Sequence, residues 1–438
     1  MVLLLRGTIH MTTIYDYLDW RGDLPFTTEP FNEVDNAILS LLSYVHYDDI
    51  PNIETTFQPL HKIRDEFYKL HTREEIAEIE TYNGVNARLL DKVADTERFK
   101  DIKIGYYISY TDKDFVVQFS AVTFKLDDMI YISYRGTDNT FIGWKEDFYL
   151  SYTTGTNGQK AAVAYIDQLF ENETLPIHVG GHSKGGNLAI YAACHCDQSI
   201  QDKITKVWSN DGPGFQGEML QSPAYKAIQD RITLIIPDSS IIGILMNNVN
   251  PKIVKSTVNT VMQHDALTWI VIRNHFEQAE SLSANSTFLN KAVDKFLENL
   301  SEDEAKIAID GIFSILESTD AESFAKLKEG GFDSLKDIIS AIRKLPPEKS
   351  SVILRLVGNM ISNSSNILAS DYMSKLQEQF NKVKGKIEIQ TNKVFIRNFN
   401  YNEMYLDIFV CLDILCCSMY KYNQNFKLVK CGHNKTII

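Results

Sequence analysis

No stretch of this 438-residue sequence approaches the ~20 consecutive apolar residues of a membrane-spanning helix. The apolar opening, Val2-Leu3-Leu4-Leu5, is too short for a signal-peptide core and is broken by Arg6. Lys and Arg form no block, and a net charge of −13 argues against a nucleic-acid partner and against anionic membrane surfaces. Cysteine is scarce, with six in the whole chain: Cys194, Cys196, Cys411, Cys416, Cys417 and Cys431. Their spacing fits neither a disulfide framework nor a repeated C-x₂-C zinc site. Free thiols in a reducing, cytoplasmic setting follow, with no metal expected. What is present is ordinary for a soluble protein, an apolar fraction of 44% in a chain long enough for two to three domains.

Against that background one stretch stands out, Leu175-Pro-Ile-His-Val-Gly-Gly-His-Ser-Lys-Gly-Gly-Asn-Leu-Ala-Ile-Tyr191. Gly181-His182-Ser183-Lys184-Gly185 fits G-x-S-x-G, the turn that lifts a nucleophilic serine between a strand and a helix. Ile177 to Val179 read as a short buried strand, and Asn187 to Ala193 as a helix with small residues. A phosphate loop is excluded, because the Gly-Lys-Ser/Thr order is missing.

Residues 1–10 look like an extension. Amphipathic patterning starts near Met11, and Asn32-Glu-Val-Asp35 opens a helix running to about Tyr47. Further helices are expected at 72–82 and 86–99. Strand-like runs follow at 115–124 and 129–134, a helix at about 159–170, then short β runs at 205–209 and 232–236. Alternating strands and helices predict an α/β fold of α/β-hydrolase type, a mixed and mainly parallel sheet flanked by helices, over residues 11–275. From 276 to 390 the pattern is helical throughout, opened by the capping-box pair Ser301 and Glu304, and it reads as an interaction or capping region for a protein partner. Residues 391–438, rich in Asn, Tyr, Phe and Cys, read as an atypical, poorly packed tail.

A serine nucleophile needs a base and an acid to orient it. In α/β-hydrolases the chain order is Ser, acid, His, which leaves His264, His275 and His433 as bases. His264, in a turn-like stretch, fits best. Asp238, after the run 232–236, is the acid favoured by strand order. Its alternative is Asp211, whose Gly-Pro context more often marks a turn. Two donors must meet the developing oxyanion. The backbone N–H of Lys184 is one, and Tyr134-Arg-Gly-Thr137 offers the other at Thr137, with Arg135 pinning the loop. The segment 241–262, with Ile242, Ile244, Leu245 and Met246, is a candidate wall or lid.

In order and spacing, Ile132-Ser-Tyr-Arg-Gly-Thr137, Gly143-Trp-Lys-Glu-Asp147 and Gly181-His-Ser-Lys-Gly-Gly186 resemble the class 3 lipases. Tyr17-Leu-Asp-Trp-Arg-Gly-Asp23, Asn210-Asp-Gly-Pro-Gly-Phe215 and Gln263-His-Asp265 more closely resemble a bacterial lipase-like family known from metagenomic esterase work. The resemblance covers about residues 11–275. It implies Ser183 as nucleophile, His264 as base, and Thr137 with Lys184 as oxyanion donors, with Asp238 where class 3 lipases carry their acid. Lys184 replaces the bulkier apolar residue common in lipases, which implies an effect of its charge on substrate preference.

The expected activity is serine-dependent hydrolysis of carboxylic esters, small or lipid, through an acyl-enzyme and without cofactor. Acyl transfer or thioester cleavage would use the same residues. A hydrolase-fold binding protein with vestigial activity is the alternative from another class.

Overall fold

The computed structural model describes residues 12–287 apart from 80, 81, 139, 151, 152, 154 and 285, together with Lys306, Asp310 and Phe313. The expectations for residues 1–10, for most of 276–390 and for 391–438 lie outside the described residues. Eight strands form one sheet in sequential order: β1 (Gln58–Pro59), β2 (Lys103–Asp112), β3 (Val117–Lys125), β4 (Ile130–Tyr134), β5 (Ile177–His182), β6 (Ile204–Asn210), β7 (Ile232–Pro237) and β8 (Lys252–Val254). The first three pairings are antiparallel. From β4 to β8 all are parallel. This is a mixed α/β-hydrolase-type sheet with its antiparallel part at one edge.

Helices cover both faces. α1 (Ile14–Arg21), α2 (Glu33–Leu42), α3 (Leu60–Leu70), α4 (Arg73–Glu78) and α5 (Tyr82–Ala94) precede the long strands. α6 (Phe141–Leu150) and α7 (Asn157–Phe170) join β4 to β5, and α8 (Lys184–His195) follows β5. Side chains alternate along β4, so the sheet has two different faces. Tyr131 points into a core with α2 and α5, whereas Ile130, Ile132 and Tyr134 join a second core with α7 and α8.

α2 shows how sequence makes one such layer. Asn32 caps it by accepting from the amides of Val34 and Asp35, and the Asp35 carboxylate returns the bond to the Asn32 amide. Val34, Ile38, Leu39, Leu41 and Leu42 are then fully buried. At about 1.5–3 kcal/mol for each large aliphatic side chain, this interface is a major contribution to the fold. Asp35 also closes a buried ion pair with Arg98 (2.5 Å), and Tyr17 donates to its other oxygen (2.8 Å).

Differences from the sequence reading are local. The helix expected through Tyr47 ends at Leu42, and the two expected at 72–82 and 86–99 run over Arg73–Glu78 and Tyr82–Ala94. β2 and α3 were not anticipated. Among the described residues no helix is long and apolar enough to cross a membrane.

Candidate active site

β5 is buried on both faces and ends at His182, and α8 starts at Lys184. Ser183 alone makes the reversal, with φ 57° and ψ −134°. A non-glycine residue in that region stores strain of order 1–3 kcal/mol, tolerable where neighbours over-determine it. Here they do. The Ser183 amide donates to the Asn210 carbonyl (2.9 Å) and its carbonyl accepts from the Gly186 amide (2.9 Å). Asn210 grips the elbow a second time, its Nδ2 donating to the Gly181 carbonyl (3.1 Å). Asn210 is itself held from α2, where Asn36 donates to its Oδ1 (2.9 Å) and Ser40 accepts from its Nδ2 (3.0 Å). The Asn-Asp-Gly-Pro-Gly turn is thus a clasp on β5 and the turn that follows it.

His264 ends a short 3₁₀ turn, Thr260–His264, and its side chain is 19% exposed. Its Nδ1 lies 2.6 Å from Oδ2 of Asp211. The fully buried Asp211 takes φ 50°, and its other oxygen accepts from the Ser240 hydroxyl (2.5 Å) and the Gly243 amide (3.1 Å). With both oxygens engaged, the carboxylate cannot rotate away from the imidazole. The histidine loop is fixed from two sides. Buried Trp269 donates from its indole to the Gln263 carbonyl (2.8 Å), and His182 Nε2 meets the His264 carbonyl at 2.6 Å.

Because a carbonyl only accepts, His182 carries its proton on Nε2, and Nδ1 accepts from the Tyr44 hydroxyl (3.0 Å). Burial, and after it the neighbouring His264, holds His182 well below the usual histidine range, so it stays neutral. The rings of His182 and His264 are 4.5 Å apart, which brings the candidate base to the residue preceding the candidate nucleophile.

Asp238 is not the partner of His264. It caps β7, its amide donating to the Val254 carbonyl (2.9 Å) and its carbonyl accepting from Ser283 (2.7 Å). Its shielded Oδ1 has no partner among the described residues. The reason is that His264 Nδ1 is already engaged by Asp211, which follows β6, the strand paired with β5.

The Arg-Gly-Thr loop lies against the elbow, since a Cβ on Gly136 would come within 2.6 Å of the His182 carbonyl and 3.0 Å of Ser183 Cβ. Thr137 donates its hydroxyl to Asp147 Oδ2 (2.6 Å). Burial pushes the Asp147 carboxyl up to about 7. Arg135 is almost fully buried, with Asp138 3.7 Å from one nitrogen. Lys184 begins α8, where first-turn amides have no partner within the helix. Its side chain is turned inward and is 1% exposed, 2.9 Å from Glu146. That charge is paired inside the protein, with the side chain shielded from solvent. In the segment 241–262, Ile242 and Ile244 are buried core residues.

A family model described as Mbeg1-like matches residues 93–314, half of the chain. The chain belongs to the Mbeg1-like family. The match takes in Thr137, Ser183, Asp211 and His264, so the whole constellation lies in the part this Mbeg1-like chain shares with its family. No curated protein matches it. Among solved structures it is similar to M37 lipase, with 15% identity, 50% of this chain and 71% of that one covered, and a TM-score of 0.31. A lipase from Rhizopus microsporus var. chinensis gives 13% identity, 61% and 90% coverage, and a TM-score of 0.29.

Sequence reasoning missed the roles of His182, Asn210 and Asp147. Their signal was local in each case, a polar residue beside a glycine-rich turn or an acidic residue within a helix. Tyr44 and Asn36, the partners of His182 and Asn210, are distant in sequence.

Proposed function

We propose that this protein is a serine hydrolase of carboxylic esters, with Ser183 as nucleophile, His264 as base, Asp211 as orienting acid, and the amides of Thr137 and Lys184 as oxyanion donors. The observation that carries this reading is the 2.6 Å contact between His264 Nδ1 and a fully buried aspartate, made beside an elbow serine held at positive φ. Asp211 fixes the tautomer that leaves Nε2 free to accept a proton. In the first half-reaction Ser183 Oγ forms a bond to the ester carbonyl carbon while its proton passes to His264. The oxyanion forms against the two amides, aided by the positive end of α8. Collapse expels the alcohol, which takes the proton from His264. Water then repeats the sequence on the acyl-enzyme and releases the acid. No cofactor enters either half.

The test is a panel of p-nitrophenyl esters of increasing chain length, assayed with wild type, Ser183→Ala and His264→Ala. Both variants are expected to lose turnover by roughly 10⁴-fold or more, because members of such a unit are each nearly essential. Wild-type turnover no higher than that of Ser183→Ala would remove the proposal and leave the binding-protein reading.

A further inference from the structure

The proposed reaction uses the amide of Lys184 but not its side chain, and the side chain is placed with unusual care. Its Nζ donates to the Gln118 carbonyl (2.9 Å), to Gln118 Oε1 (3.0 Å) and to Glu146 Oε2 (2.9 Å). An ammonium has three donors, and all are used. Glu146 is fully buried and equally satisfied, since it also accepts from the amides of Gln118 (3.1 Å) and Gly158 (2.6 Å). Four elements meet at this pair: the start of α8, β3, α6 and the first turn of α7. An apolar side chain would fill the same space without desolvating two charges, and buried ion pairs add little net stability over such a replacement. The pair therefore calls for a reason other than stability.

The neighbours of Glu146 supply it. Asp147, next in sequence, holds the Thr137 hydroxyl, and one turn earlier a Cβ on Gly143 would come within 2.8 Å of Thr137 Cγ2. α6 thus grips Thr137 at two points while Lys184 grips α6. The two oxyanion amides stand on separate segments, one in the loop after β4 and one at the head of α8. We propose that the Lys184 ammonium is a positioning group that fixes the distance between these two amides by locking α6, through Glu146, against the elbow. The inference rests on the ester-hydrolase reading and adds a residue to it. Donors fixed in advance where charge develops need no reorganisation during the reaction, and a misplacement of about 1 Å can cost about 10²-fold in rate.

Side-chain replacement separates the two roles of residue 184, because the amide remains. The test is the double variant Lys184→Met/Glu146→Gln, which removes both charges and leaves an acceptor at position 146. Circular dichroism reports folding, p-nitrophenyl ester kinetics give kcat and KM, and inhibition by an alkyl boronic acid reports affinity for a tetrahedral adduct. The expected result is a folded protein whose kcat falls about 10- to 100-fold with KM changed by less than about twofold. Boronate affinity should fall by the same factor as kcat/KM. The exposed pair Lys255–Glu277 serves as control, and Lys255→Met/Glu277→Gln should match wild type. A folded double variant with wild-type kcat and boronate affinity would overturn the inference alone. A wild type no faster than Ser183→Ala would overturn it together with the ester-hydrolase reading. If the double variant does not fold, Glu146→Gln, which loses the charge and keeps one of the two acceptor oxygens, carries the same expectation at about threefold in kcat, and an unchanged kcat there overturns the inference.

Discussion

An imidazole that takes a proton through one nitrogen must have the other held, or its ring turns and its tautomer is undetermined. Asp211 supplies that hold from a position where neither of its own oxygens is free to swing. The sequence offered two aspartates at strand ends, and strand counting favoured Asp238; which strand tip adjoins the histidine loop is a fact of three dimensions. Asp211→Asn should therefore lower kcat by about 10⁴-fold, as loss of an orienting acid does in related triads, while Asp238→Asn stays near wild type. Steady-state kinetics on one ester decides between them, and the opposite ranking would transfer the role to Asp238. Asp147 makes a second expectation at this scale. Burial raises its carboxyl to about 7, above its unfolded value, so the folded state holds a proton that the unfolded chain releases at lower pH. Its contribution to stability is then complete in acid and is lost as pH rises through about 7. Melting temperatures of wild type relative to Asp147→Asn should decline between about pH 4 and 7 and level off above that. A constant difference across that range would show that the carboxyl is not perturbed.

At the scale of elements, the elbow is held from the face opposite α8. Asn210 links β6, the Gly181 carbonyl on β5, and Asn36 and Ser40 on α2, and Tyr131 donates to Asn36 (2.7 Å) within the same buried group. Such a network stabilises when complete and is costly when broken. Asn210→Leu should lower unfolding free energy by about 1–3 kcal/mol in urea titration, with turnover reduced as well. A variant as stable as wild type would show the network to be dispensable. The alternating runs of β3 and β4 and the small residues of α8 were legible because period and composition are local properties. β2 was not, since Tyr106 takes φ 54° at a bulge between Gly105 and Ile108 and breaks the alternation. α3 carries only Leu60, Ile63 and Phe67 as its buried stripe within a charged segment. The Asn210 motif read as a turn, because its partner Asn36 is 174 positions away.

For the molecule as a whole, the shared family region starts at residue 93, yet the sheet depends on what precedes it. α1 to α5 supply much of one core, including Val34, Ile38, Leu41, Leu42, Leu89 and Leu90 against Phe124, Tyr131 and Trp208. A fragment spanning 93–314 exposes that face, and exposed apolar patches of this extent drive association. It should elute as aggregate in size-exclusion chromatography and hydrolyse no ester, whereas a monomeric, active fragment would make the N-terminal helices an accessory. On the opposite side Asp310 receives a hydrogen bond from Tyr149 (2.5 Å), and Phe313 packs on Phe148 with ring centres 5.9 Å apart. The family match extends to residue 314 and so includes this contact on α6.

Covalent capture tests the central claim most directly. The full-length protein is treated with a fluorophosphonate, digested, and its peptides are weighed. The account predicts one adduct, on Ser183, formed by wild type and reduced to background in His264→Ala and Asp211→Asn. An unlabelled Ser183, or labelling that persists undiminished without His264, would contradict it.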